Sequence, residues 1–126
     1  MKKEIRAAKY AGSWYEDDAE VLDEELTNYL NEAEYTLPDG KLKAIIGPHA
    51  GFDFSGATAA YAYKNLAAKV KEIDRVVLLG PSHKVSLNFI ATTSCDEWAT
   101  PLGNIKIDGE AVEDLLDASD KAGNSL

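Results

Sequence analysis

The chain has 126 residues, 45% of them hydrophobic and 28% charged, which fits one ordinary globular domain with room for one hydrophobic core. Thirteen Lys and Arg stand against 22 Asp and Glu, for a formal net charge of −9, and no basic stretch can displace counterions from a phosphate backbone, so nucleic acid is excluded as a partner. No apolar run nears the roughly 20 residues that cross a bilayer, and the lone Cys95 rules out an intrachain disulfide and points to a reducing, cytoplasmic setting.

Lys2 and Lys3 precede no apolar stretch, so no signal peptide is expected. Residues 5–15 have no clear period and mix small side chains with Tyr10, Trp14 and Tyr15, which reads as an irregular segment anchored by aromatic packing. Asp17 is positioned to cap a helix, with Glu20 three residues later as in a capping box. Leu22, Leu26, Tyr29, Leu30 and Ala33 then form its apolar stripe. The acids Asp23, Glu24, Glu25 and Glu32 read as the solvated face. Pro38-Asp39-Gly40 is a turn.

Leu42 to Ile46 suits a buried strand, stopped by Gly47-Pro48-His49-Ala50-Gly51, where proline removes a ladder donor. Ser55 is expected to cap a helix over about 56–70, whose many alanines suit close packing on a sheet. Val76 to Leu79 is a second strand, stopped by Gly80-Pro81-Ser82-His83. Strand, helix and strand in this length predict a right-handed βαβ unit with parallel strands. Leu87 to Thr93 is a third strand candidate, Thr100-Pro101-Leu102-Gly103 a turn and Ile105 to Ile107 a short edge strand. Asp108 or Gly109 opens a last helix to about Ala118, and the tail from Ser119 has no pattern. The expected fold is α/β: one domain over residues 1–126, with a mostly parallel central sheet flanked by helices.

His49 and His83 are the only histidines, and each follows an apolar run and a Gly-Pro break. On parallel strands both would lie at the carboxyl edge, where open α/β sheets place their ligands. Two imidazoles so placed could share a divalent metal and would suit Zn, Fe, Cu or Ni. The plain alternative is that each His caps a strand or satisfies a local carbonyl. Asp53 could complete a two-His-one-carboxylate set, or it could be a loop carboxylate or helix cap. Asp96 and Glu97 lack diagnostic spacing, Cys95 reads as a small buried side chain, and Ser82 is an accessory candidate beside His83. The loop from Gly51 to Gly56 could hold an anion on backbone N–H groups, although it matches no phosphate motif.

These residues resemble the Memo family, also called AmmeMemoRadiSam system protein B. The likeness lies in Arg6 with Tyr10-Ala11-Gly12-Ser13-Trp14-Tyr15, and in Ile46-Gly47-Pro48-His49-Ala50-Gly51-Phe52 with Phe54-Ser55-Gly56. It continues in Leu79-Gly80-Pro81-Ser82-His83-Lys84-Val85, and in Thr100-Pro101-Leu102-Gly103 with Ile107-Asp108. The resemblance implies a fold like that of the class III extradiol dioxygenases, with His49 and His83 matching two metal-site histidines. It implies a divalent metal, Fe(II) favoured and Cu or Zn the alternatives, with no organic cofactor, and either a small-molecule substrate or a protein or peptide partner.

Glu16 stands where the family commonly has proline. The family's downstream His-Ser-x-Glu segment, third metal histidine and active-site cysteine have no counterpart here, and Cys95 does not occupy that cysteine's place. The chain is therefore expected to match the N-terminal half of the family, as a fragment or truncated reading frame with half a metal site. Three functions follow as expectations: a non-haem metal-dependent oxidoreductase, a non-catalytic binding module of the same fold, or an inactive remnant.

Overall fold

The backbone N–H groups of a helix's first turn have no partner within the helix, and Asp18 supplies one for α1 (Ala19–Glu32). Its Oδ1 accepts from the backbone N of Glu20 at 2.9 Å and of Val21 at 3.1 Å. The cap is thus one residue later than the expected Asp17. Along the expected stripe Leu22 and Ala33 are buried and Leu26, Tyr29 and Leu30 half-buried, while Asp23, Glu24 and Glu32 face solvent. Glu25 departs from its expected solvated position: it is half-buried, and its Oε1 accepts from the Tyr29 hydroxyl at 3.1 Å.

The computed structural model describes residues 3–34 and 40–122; of the expected Pro38-Asp39-Gly40 turn, Pro38 and Asp39 lie outside them. The chain divides into two units, one of Lys9–Val76 and one of Met1–Ala8 with Val77–Leu126.

In the first unit α2 (Phe52–Ala67) starts four residues before the expected 56, with Gly51 as its cap residue. Ser55 sits inside the first turn and does not cap it. The small face of α2 meets α1, correcting the expectation that it packs on a sheet. Gly56 and Ala60, one turn apart, are both buried, and a Cβ on Gly56 would stand 2.5 Å from the Tyr29 ring. Only glycine permits that approach. Lys64 Nζ donates to the Leu30 carbonyl at 2.8 Å, satisfying a carbonyl in the last turn of α1. A 3₁₀ turn, Val70–Glu72, follows α2.

The expected βαβ unit is absent among the described residues. Neither Leu42 to Ile46 nor Val76 to Leu79 forms a strand, and Ile46 is 97% exposed while Val76 to Leu79 are 70–81% exposed. Apolar content suits a run to a sheet, but a strand exists only through a ladder with a neighbour, and no described residues pair with either run. Leu87 to Thr93 is irregular for the same reason.

The second unit holds a three-stranded sheet in the order β1 (Ile5–Arg6), β2 (Glu97–Thr100), β3 (Gly103–Lys106). β1 pairs parallel with β2, Ile5 opposite Glu97, and β2 pairs antiparallel with β3, Trp98 opposite Ile105. The fold is α/β, but its sheet is mixed, which corrects the mostly parallel expectation. The Thr100-Pro101-Leu102-Gly103 turn is where expected and closes a hairpin, Thr100 Oγ1 donating to the Gly103 carbonyl at 2.7 Å. Its edge strand begins two residues before the expected Ile105. The Arg6 guanidinium lies 4.7 Å from the centre of the Trp98 ring, a cation–π contact across β1 and β2. Asp108 Oδ1 accepts from Ala111 N at 3.0 Å and opens α3 (Gly109–Lys121), which runs three residues past the expected end. No helix among the described residues is long and apolar enough to cross a membrane.

Candidate functional site

His49 is exposed and stands three residues before α2 in the Lys9–Val76 unit. The backbone that follows it is tied at several points. Ser55 Oγ donates to the Ala50 carbonyl at 2.8 Å, and the residue is only 5% exposed. Phe52 N donates to the Trp14 carbonyl at 2.8 Å, and the Tyr29 hydroxyl lies 3.3 Å from the Phe52 carbonyl. The Phe52 ring packs on Tyr15 with centroids 5.5 Å apart. A Cβ on Gly51 would stand 3.2 Å from the Trp14 carbonyl oxygen, so glycine lets the two backbones approach this closely.

The segment that meets this turn is itself tightly wound. Trp14 N and Ser13 N both donate to the Tyr10 carbonyl, at 2.9 and 3.1 Å, and Gly12 N donates to Tyr15 O at 2.8 Å. Gly12 has φ +76°, a conformation that side-chain-bearing residues adopt at a cost. Tyr10 and Trp14 stack with centroids 4.9 Å apart, as expected of a segment anchored by aromatics. Sequence reading identified this segment and the His49 turn separately. Their contact joins residues far apart in the chain, and no spacing rule reports it.

Asp53 lies exposed in the first turn of α2, where a carboxylate is favoured by the positive end of the helix. Burial and then the adjacent Glu25 carboxylate hold the Tyr29 phenol above its ordinary pKa, with Asp53 adding a smaller push in the same direction.

His83 belongs to the other unit and lies in an irregular, fully exposed stretch. Ser82 Oγ donates to the Val85 carbonyl, a local contact that bends the chain around His83. The remaining acids near the sheet are engaged. Asp96 Oδ2 accepts from Glu4 N at 2.7 Å, and Glu97 pairs with Lys3 and accepts from Asn104 Nδ2 at 3.0 Å. The Lys3 contact first, then that of Asn104, holds the Glu97 carboxyl below its ordinary pKa. Cys95 is half-buried with its sulfur 3.9 Å from Glu4 Oε1. This unit also carries an open groove of about 660 Å³, with Thr93, Cys95, Asp96, Lys106, Val112 and Leu116 on its walls, and neither histidine lines it.

Imidazole is a good donor for several divalent metals, but a secure site takes about three protein donors or more. Among the described residues no three His, Cys, Asp or Glu side chains are gathered to hold an ion. The donors present therefore do not amount to a metal centre by themselves.

A family model described as Memo-like protein matches residues 6–124. The protein memo-1 homolog of Caenorhabditis elegans is 43% identical over 110 residues, covering 87% of this chain and 30% of that relative. The MEMO1 family protein MHO1 of Saccharomyces cerevisiae is 38% identical over 113 residues, 89% of this chain and 33% of its own length. Protein MEMO1 of Danio rerio is 39% identical over 110 residues, 87% and 36% respectively. The chain thus spans about a third of the length of the curated relatives it matches.

Proposed function

The chain belongs to the Memo-like protein family, and we propose that it supplies two histidines, His49 and His83, to the metal site of a non-haem, dioxygenase-like oxidoreductase. In this reading the residues are part of a single Memo-like α/β domain related to the class III extradiol dioxygenases. The metal is divalent, Fe(II) ahead of Cu or Zn, and the substrate is a small molecule. The observation that carries the reading is the doubled motif: the only two histidines of the chain each close a Gly-Pro break after an apolar run. Asp53 and Ser82 are accessory candidates in the same reading. Water or a residue outside these 126 supplies the remaining ligands, the two histidines with nearby groups being taken to suffice for holding the ion, and no chemical step is assigned to the histidines alone. The lone thiol of Cys95 fits a reducing, cytoplasmic setting.

Anaerobic metal analysis of the purified chain, with His49→Ala and His83→Ala beside it, tests the reading. Near-stoichiometric metal in the unaltered chain, lost in both variants, is expected. A cooperatively melting chain without metal overturns it.

One observation favours a second reading, a non-catalytic binding module. Val76 to Leu79 form an exposed apolar run whose backbone joins no ladder among the described residues, a surface suited to receiving an extended peptide strand. Peptide binding that survives chelation and the His49→Ala change would support this reading over the metal-dependent one.

A further inference from the structure

We propose that Ser55 is a positioning residue for His49, an inference that rests on the reading above that His49 is a working side chain. A buried helix-facing position next to Gly56 needs only a small side chain, and alanine would satisfy the packing. Ser55 adds a hydroxyl, and the hydroxyl does not cap α2. It donates backwards at 2.8 Å to the carbonyl of Ala50, the residue that follows His49, with the Gly51 carbonyl 3.3 Å away. That carbonyl belongs to the peptide plane next but one to the His49 Cα, so fixing it narrows the directions in which the imidazole can be presented.

Ser55 completes a set of three anchors. The Ala50 carbonyl is held from inside α2 and Phe52 N from Trp14, and the Phe52 carbonyl is approached at 3.3 Å by the Tyr29 hydroxyl on α1, whose one proton is shared with Glu25 Oε1. The anchors come from three separate parts of one unit, so the turn is held as a unit and not as a free loop. Of the three, Ser55 lies nearest to His49 in the network, and its side chain is buried enough to keep water from replacing it.

The test compares Ser55→Ala and Ser55→Thr in the full chain by amide hydrogen exchange, with Ala60→Gly as a control that loosens the same helix pair elsewhere. A positioning role predicts that Ser55→Ala speeds exchange at the Phe52 amide by about tenfold, leaves the mid-α1 amides of Leu26 and Leu30 unchanged, and broadens the His49 ring resonances. Ser55→Thr, which keeps the hydroxyl, restores the slow exchange. An even rise across α1 and α2, or the same local rise in Ala60→Gly, makes Ser55 a packing residue and overturns the proposal. Zinc uptake by the unaltered chain is read in the same samples. Its absence removes the metal reading, while the exchange pattern still decides the role of Ser55.

Discussion

The two histidine turns share a sequence grammar and differ in everything that supports them. The His49 turn is bonded by Ser55 and Trp14, approached by the Tyr29 hydroxyl and stacked on Tyr15. The stretch around His83 is exposed throughout, and the apolar residues leading into it, Val76 to Leu79, have no ladder. Both are preceded by a run that reads as a strand. The difference teaches that a Gly-Pro-His break specifies where a chain turns, while the stiffness of that turn is supplied by whatever packs behind it. Behind His49 stands a helix pair built from local sequence. The run before His83 needs a neighbouring strand, and none of the described residues provides one.

The comparison breaks most severely where the helix pair is closest. Gly56→Val places methyl groups where a Cβ alone would already meet the Tyr29 ring at 2.5 Å. Overpacking of that kind costs about 3 kcal/mol, and thermal or urea melts are expected to show it together with loss of the protected amides of α1 and α2. A melt within error of the unaltered chain would mean the pair is looser than described.

Tyr29→Phe sharpens the comparison by removing one hydroxyl from behind the His49 turn. The expected loss is about 1–2 kcal/mol, the cost of removing the one donor that the half-buried Glu25 carboxylate and Phe52 carbonyl share. It also carries a pH signature. Burial and Glu25 raise the Tyr29 pKa above its ordinary 10.0, so its contribution is complete below that pH and is lost as pH rises through the higher folded-state value. Alkaline unfolding curves should show this arm in the unaltered chain and lack it in Tyr29→Phe.

On the other unit the corresponding signature lies in acid. Glu97 is depressed by Lys3 and Asn104 below its ordinary 4.5, so its contribution is present above that pH and fades as pH falls through the lower folded-state value. Its partner Lys3 is open to solvent, which screens the pair, so the expected effect is small, and added salt should shrink it. Glu97→Gln is predicted to flatten the acid side of the stability profile, read from the Trp98 fluorescence.

The smallest effect is expected at Val77→Lys. At 77% exposure the valine contributes little, and the change should alter stability by no more than about 0.5 kcal/mol. Its visible consequence is lower self-association, since a charge interrupts an exposed apolar run that joins no ladder among the described residues. A loss of about 2 kcal/mol or more would show that this run is packed in solution, and the contrast between the two turns would collapse.

The helices were legible because their signals are local. An Asp before an apolar stripe located α1 and α3 to within a residue or two at their starts, since cap and stripe are read within a few residues of each other. α2 was misplaced because its cap residue, Gly51, offers no side-chain signal, while Ser55 carries the chemistry of a cap and uses it on the preceding turn. The sheet was the least legible part. Glu97 was weighed as a metal donor and lies in β2, where its partner is Lys3, and the apolar runs that read most clearly as strands are those without neighbours. The candidate histidines were found from their motif, whereas the contacts that hold one of them came from residues 14, 29 and 55, which no periodicity links.

The β1–β2 pairing has a consequence for the order in which the chain acquires its structure. The backbone bond from Glu4 to the Asp96 carboxylate spans 92 residues, whereas the Tyr29–Phe52 contact spans 23 and the Lys64–Leu30 contact 34. Closing a longer loop costs more chain entropy before any contact rewards it, and contacts of long sequence separation form slowly. On a ribosome the helix pair and the His49 turn can assemble as soon as residue 67 has emerged. Ile5 and Arg6, made before the helix pair, must wait for Glu97 and Trp98 before the β1–β2 ladder can form. Residues made before the helix pair thus find their place after it.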